Sequence, residues 1–271
     1  MKPDWPRFMP SLQQAGPMFN LHGLYILFAR EVWRFLKVSI QTLLTPVITV
    51  LLYLLVFSSV IGDGRQMLPG IDYLTFLVPG LMVMAMLQNA FANSSSSLFQ
   101  SRLNGNVIFV LLAPFSNFEL YLAFVGASVV RGVLVGFGVW LTALNFVSLT
   151  LHHPLLALLL AFFCSGALGA LGLVAAIMAD KWDHIAAFQN FVIVPFSFLS
   201  GVFFALADLP PFWRQVSYLN PFFYLVDGFR RACLGVSEVG FGPSLLVALG
   251  FFLLSSTWAL WLLHKGCNLR G

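Results

Sequence analysis

Charge is scarce in this chain. Asp, Glu, Lys and Arg make up 9% of its 271 residues, against about 25% in average soluble domains. Hydrophobic residues reach 59%, and a soluble fold of this length has no interior large enough to hide them, so the solvent is largely lipid. Cysteine is sparse too. Cys164, Cys233 and Cys267 are odd in number and far apart, which supports neither a disulfide framework nor, without CxxC or Cys/His spacing, a zinc site. Free thiols, buried or facing lipid, are the expectation. No basic run or stripe exists, so the net charge of +4 reads as membrane topology rather than nucleic-acid affinity. Catalytic signatures are also missing. No GxxxxGK[ST] occurs and none of the four lysines follows a glycine, so the chain has no P-loop for ATP. HExxH, GxSxG and paired carboxylates within an apolar run are absent as well. His152 and His153 are adjacent, so their side chains splay apart on most backbones. They read as a polar turn, leaving no catalytic or metal-binding residue expected.

What is present is six long apolar runs separated by short polar gaps. Helices of about 20 residues cover a hydrocarbon core of roughly 30 Å. The pattern predicts an all-α membrane protein with six transmembrane helices, over 38–61, 74–100, 118–149, a fourth ending at 178, 185–206 and 243–264. Residues 1–20 are Pro-rich and read as a loose cytoplasmic tail. Residues 21–37 predict an amphipathic helix at the membrane surface, with Arg30, Arg34 and Lys37 on one face and Leu24, Phe28, Val32 and Phe35 on another. Residues 38–271 form a single transmembrane domain. The first apolar run starts too far into the chain, and is too long, for a cleavable signal. Pro46 within it is tolerable in a membrane, where neighbours satisfy the freed carbonyl. Residues 209–235 are too polar to span. Pro210 and Pro211 suit a helix start, Asn220 and Pro221 end one helix and begin another, and Gly235 suits an end. Two short amphipathic helices on the outer side are expected there, with Asp227 at salt-bridge spacing from Arg230 or Arg231.

Lysine and arginine placement sets orientation. Nine fall on the side that holds both termini, and four on the other, which puts the termini in the cytoplasm. Within the second run Asn89, Asn93 and Ser97 recur at i, i+4, i+8, with Ser96 and Gln100 beside them. Such a face points into protein or a wet path, not lipid. A pathway lining and interhelical hydrogen bonding both fit it. Arg131 lies about 13 residues into the third run, roughly 20 Å along the axis, near mid-membrane and at the depth of Asn89. It either contacts an anionic substrate or is a structural arginine bonded to the second helix. Ser128, Gly132 and Gly136 have small-xxx-small spacing, and Gly166, Gly169 and Gly172 do similar work on the fourth helix, allowing close helix approach.

Several stretches occur in a fixed order: Phe198-Leu-Ser-Gly-Val-Phe-Phe, Leu209-Pro-Pro-Phe-Trp, Leu219-Asn-Pro and Asp227-Gly-Phe-Arg. Together they resemble the C-terminal signature of ABC-2 type permeases, in the YadH/NodJ-like branch. Gln41-Thr-Leu-Leu-Thr-Pro-Val-Ile-Thr, Phe76-Leu-Val-Pro-Gly and Leu111-Leu-Ala-Pro agree with it, so the resemblance runs from about Arg30 to the C-terminus. It implies the permease subunit of an ABC exporter in a bacterial inner membrane, paired as a homodimer. Two copies of a separate ATP-binding subunit would hold ATP and Mg, with no cofactor in this chain and no nucleic-acid partner. By position the resemblance makes 21–37 an interface helix. It makes 102–114 a cytoplasmic coupling helix, comprising Arg102, Asn104, Gly105, Asn106, Val107, Ile108, Phe109, Leu111, Leu112 and Pro114. Relatives often carry acidic residues where Ile108 and Phe109 stand, so coupling here is expected to rest on apolar packing. The 209–235 segment becomes a re-entrant helical pair, with the signature residues Gly201, Pro210, Pro211, Asn220, Pro221, Asp227 and Arg230. If the first, second and fifth helices line the path, the candidate substrate-pathway residues are Asn89, Asn93, Ser97, Arg131, Gln189 and Asn190. The cargo would be amphipathic, lipid-linked or drug-like and move outward. Two other readings remain open: a non-transporting membrane anchor for a regulatory ATPase, and a membrane-embedded lipid-modifying enzyme, which would need ionisable groups clustered at one depth.

Overall fold

A computed structural model describes residues 20–38, 40–61, 66–68, 70–106, 115–149 and 151–266. The architecture is helical. The chain runs α1 (Leu21–Lys37), α2 (Thr45–Ile61), α3 (Tyr73–Leu103), α4 (Asn117–Ala143), α5 (Pro154–Met178), α6 (Trp182–Phe188), α7 (Val194–Phe198), α8 (Pro211–Leu219), α9 (Pro221–Leu234) and α10 (Phe241–Lys265). One small ribbon departs from the all-α expectation: β1 (Gln66–Leu68) pairs antiparallel with β2 (Ile71–Asp72) just before α3.

Among the described residues, five helical stretches are long and apolar enough to cross a membrane: Ile40–Val60, α3, α4, α5 and α10. The expected fifth span, 185–206, is different. Helix stops at Phe198, and Gly201 takes a left-handed φ of 73° that turns the backbone away. The expected third span is shorter than its apolar run, since α4 ends at Ala143 rather than at 149.

Two prolines bend two helices in the same way. A π-helical turn, Ile40–Leu44, precedes Pro46 at the start of α2, and another, Gln189–Ile193, lies between α6 and α7, just before Pro195. A proline inside a helix lacks an N–H and its ring crowds the carbonyl four residues back. Here those carbonyls belong to Thr42 and Phe191, both inside the π-turns, and the wider turn makes room for the ring.

The core forms where small residues let backbones meet. α3 sits centrally between α4 and α5: 78% of its apolar window is buried within the chain, against 11% for Ile40–Val60. A Cβ on Gly172 would fall 2.6 Å from the Phe91 carbonyl oxygen, and one on Gly132 would fall 2.8 Å from Ser165 Cβ. Ser94 Oγ on α3 donates to the Gly169 carbonyl on α5 at 2.6 Å. The expected glycine stripes are thus the packing surfaces of α4 and α5.

α1 runs over its expected bounds, and Leu24, Phe28 and Phe35 of its expected apolar face pack inward. Leu27 packs with Leu120 and Ala123 of α4, flanked by Leu24 and Phe28. Arg34 turns inward with this face, while Tyr25, Ile26 and Trp33 are exposed. The starts of α1 and α4 are tied by Glu119. It completes a capping box with Ser116, and its other oxygen accepts from the Asn20 N–H. Asn20 in turn caps α1 by accepting from Gly23 N at 2.9 Å.

The 209–235 segment forms two helices at the expected prolines, and Gly235 ends the second at φ 78°. Only α8 is a surface helix, exposing Phe212, Trp213, Tyr218 and Leu219. α9 is an inner element, packed against α10, α3 and α5, with Phe223, Leu225 and Val226 buried. Cys164 and Cys233 are buried free thiols.

Candidate functional site

A cleft of about 620 Å³ opens between the α1–α2 junction and α3. Its walls mix apolar side chains (Val38, Pro46, Val50, Leu81 and Met84 among them) with the amides Gln41, Gln88, Asn89 and Gln100. Two cations face it, Arg34 and Arg131, and no Asp or Glu among the described residues lines it. A volume of this size suits a drug-sized or lipid-like group.

Arg131 reaches the cleft from α4. Its Nη2 donates to Asn89 Oδ1 at 3.0 Å, which joins the two residues expected to share a depth. Asn89 Nδ2 donates back to the Ala85 carbonyl at 3.0 Å, so the amide is held with its oxygen toward the guanidinium. Arg131 is 9% exposed, and its buried Nε has no hydrogen-bond partner.

Asn93 and Ser97 share the ladder but lie behind the cleft, in a buried network. Arg34 Nη2 donates to both the carbonyl and Oδ1 of Asn93, each at 2.9 Å. Asn93 Nδ2 donates to Ser128 Oγ at 3.2 Å. Ser97 donates to Glu31, whose carboxylate also pairs with Arg30 at 2.9 Å and Arg34 at 3.2 Å. Glu31 is 1% exposed and was not among the expected site residues. Its signal was available: it is the only acidic residue in 21–37, and helical spacing puts it one turn before Phe35. Gln189 and Asn190 do not join this site. They lie in the second π-turn, Asn190 exposed, and neither lines the cleft.

The signature residues of the C-terminal half converge instead on a brace. Arg230 is fully buried, with its guanidinium 3.6 Å above the Phe76 ring and Nη2 donating to the Gly201 carbonyl at 2.7 Å. Its acidic partner is Glu238 at 3.6 Å, in place of the expected Asp227. Asp227 faces the next element: it accepts from Glu238 N at 2.7 Å and Ser244 Oγ at 2.9 Å. Asn220 caps α9 by accepting from Phe222 N, and donates to the Phe196 carbonyl at 2.7 Å. Pro210 and Pro211 start α8, and Pro221 starts α9.

Of the expected coupling segment, Val107, Ile108, Phe109, Leu111, Leu112 and Pro114 lie outside the described residues. Arg102 precedes them and closes the end of α5. Its Nη1 donates to the carbonyls of Ala176, Ile177 and Ala179 at 2.6, 3.3 and 3.0 Å, a cation on the negative end of a helix. Asn104 and Gly105 terminate α3 by donating to Gln100 and Arg102 carbonyls, and Gly105 sits at φ 70°. Asn106 closes the same turn.

Residues 22–234 match the family model described as ABC-2 type transporter. The chain is 35% identical to the inner membrane transport permease YadH of Escherichia coli (strain K12), over 92% of this chain and 97% of that protein. It is 24% identical to nodulation protein J of Rhizobium meliloti (strain 1021), over 76% of this chain and 79% of that protein. On these matches the chain belongs to the ABC-2 type transporter family, as a permease.

Proposed function

We propose that the chain is the transmembrane subunit of an ABC exporter in a bacterial inner membrane, moving an amphipathic, lipid-linked or drug-like substrate outward. ABC-2 permeases work with ATP-binding subunits. Here two copies of such a subunit would dock on the cytoplasmic face of a permease homodimer and hold the ATP and Mg. The bent run Trp182–Phe198 would be the sixth span, which makes the number even and leaves both termini in the cytoplasm, in line with the nine-to-four bias of Lys and Arg. Residues 102–114 would receive the ATPase, with Arg102 carrying its motion to α5. Residues 209–235 would be the re-entrant pair.

The observation that carries this reading is the cleft and what borders it. It lies against Ile40–Val60, the least buried of the five described candidate spans, with 11% of its apolar window buried. A helix so apolar and so little packed is free to move against α3, and its other face is open to lipid or a second protomer. Switching of that boundary between inward and outward openings would carry the cargo.

Affinity purification of the full chain from its native membranes in mild detergent tests this. The expected result is co-purification of a P-loop ATPase, and no ATP hydrolysis by the chain once that partner is stripped away. Turnover of ATP by the stripped chain, or failure of any ATP-binding subunit to co-purify, would overturn it. An ATPase that co-purifies while substrate movement in reconstituted vesicles is absent would favour a non-transporting anchor.

A further inference from the structure

We infer that Arg131 and Asn89 form a recognition site for one anionic head group of an amphiphile, a phosphate or carboxylate, whose apolar part lies along α2. This deepens the exporter reading and rests on it for identifying that amphiphile with the cargo.

The argument starts from charge. Of the two arginines facing the cleft, Arg34 has a carboxylate, Glu31, at 3.2 Å. Arg131 has no ion pair among the described residues. An arginine this deep in an apolar bundle is strongly disfavoured unless something opposite in charge joins it. A structural arginine is satisfied by carbonyls, as Nη1 of Arg102 is by three of them. Arg131 has one donor fixed to Asn89 and a buried Nε with none. The guanidinium edge is therefore half used, and it is held in place by the Asn89 amide, itself fixed to Ala85. An oxygen of a phosphate or carboxylate in the cleft can accept from the η nitrogens that the Asn89 contact leaves free.

The walls set the rest of the ligand. Gln88 and Gln100 add polar groups on the α3 side, while on the other Val38, Pro46 and Val50 present hydrocarbon beside the polar Gln41, Thr45 and Thr49. Along α2 the cleft wall continues through Pro46, Val50 and Tyr53, which recur on one face of the helix. A head held at Arg131 leaves this face of α2 for the tail. Free inorganic phosphate would satisfy the charge and leave the apolar wall unused. A neutral amphiphile would do the reverse.

The test uses the purified full chain in a maltoside detergent and calorimetric titration with three probes: dihexanoyl phosphatidic acid, dihexanoyl phosphatidylcholine and inorganic phosphate. Saturable binding of the phosphatidic acid, one per chain, is expected, at least tenfold tighter than either of the others. Arg131→Gln should weaken it at least tenfold, and Asn89→Ala several-fold. Arg131→Lys should retain part of it. Equal binding of phosphatidylcholine would reduce the site to an apolar groove, and equal binding of inorganic phosphate would remove the amphiphile; either overturns the inference. So would unchanged binding in Arg131→Gln. If that variant does not fold, unchanged binding in both Arg131→Lys and Asn89→Ala overturns it instead. No ATP-binding subunit is present, so failure here leaves the exporter reading standing. Failure to co-purify an ATPase, in turn, leaves this binding measurement intact.

Discussion

Arg34 on α1 holds Asn93 on α3 twice, through the backbone carbonyl and through Oδ1, both at 2.9 Å. The two residues are 59 positions apart in the chain, so this contact ties the helix that precedes the first span to the central helix of the bundle. Glu31 holds the same arginine from the other side at 3.2 Å. Only the carboxylate of this pair is fully buried: the Glu31 side chain is 2% exposed and that of Arg34 30%. Glu31→Gln alone is therefore expected to cost about 1–3 kcal/mol, the scale of losing hydrogen bonds to a charged group, because solvent partly compensates Arg34. Glu31→Gln with Arg34→Gln should cost less than the sum of the two single changes, with a coupling of about 0.5–3 kcal/mol. Thermal unfolding of the four proteins in detergent gives the cycle. Additive effects would mean that the charges do not interact.

Gly172 marks a close approach of α5 to α3. A methyl group there would lie 2.2 Å from Ser94 Oγ, 2.6 Å from the Phe91 carbonyl oxygen and 3.1 Å from Ser95 N. The serine can rotate, but the backbone atoms cannot yield without moving α3. Gly172→Ala should destabilise by about 1–3 kcal/mol, although alanine is the better helix former. Gly250 has nothing within 4 Å of the same added atom, and Gly250→Ala should be neutral or slightly stabilising. Melting temperatures of the two variants check the contrast. Equal effects would show that proximity to α3 is not what requires glycine at 172.

The pattern of residue types made much of this legible. Apolar run length located α2, α3, α4, α5 and α10, because lipid imposes a minimum on helix length that water does not. Proline and glycine placement located α8 and α9 almost to the residue. Arg131 and Asn89 met as their depths suggested. Other features were hidden because periodicity does not say which neighbour a face meets. Arg34 looked like part of a charged outer face, yet Glu31 and Asn93 give it partners inside. Asp227 had the local spacing to pair with Arg230, but Glu238, placed beyond the α9 cap, takes that position. The bent run ending at Phe198 reads as a plain span in hydropathy, since hydropathy does not register a π-turn or the φ of Gly201.

Arg102 joins the last turn of α3 to the last turn of α5 through the carbonyls of Ala176, Ile177 and Ala179. Its charge matters as well as its donors, since cations stabilise helix C-termini by about 0.3–1 kcal/mol. Arg102→Gln keeps a donor and loses the charge and the fork, and should destabilise by about 1–2 kcal/mol on the scale of charge-assisted hydrogen bonds. The effect should be local. Hydrogen exchange should rise in the last turn of α5 and leave the Gly166–Gly172 stretch protected. If exchange rises evenly along α5, Arg102 supports the whole packing rather than the helix end.

Glu238 lies between α9 and α10, and burial pushes its carboxyl above the usual value of 4.5 despite the nearby Arg230. The reason is geometric. Its Oε1 stands 3.6 Å from Arg230 Nη1 without a hydrogen bond, and only Oε2 is satisfied, by Leu206 N at 2.7 Å. Asp227 and Asp208 oppose its ionisation further. A carboxyl whose folded value is raised binds its proton more tightly in the folded chain than in the unfolded one. Its stabilising effect is therefore complete below about 4.5 and declines as pH rises through the higher folded value. This is opposite in sign to an ordinary salt-bridged carboxylate. Glutamine mimics the protonated acid, so Glu238→Gln should match the native protein near pH 4 and become the more stable of the two toward pH 8. Melting curves of both proteins across that range decide it. A Gln variant that loses ground as pH rises would mean that attraction to Arg230 outweighs burial, and that the brace around Phe76 and Gly201 depends on an ionised Glu238.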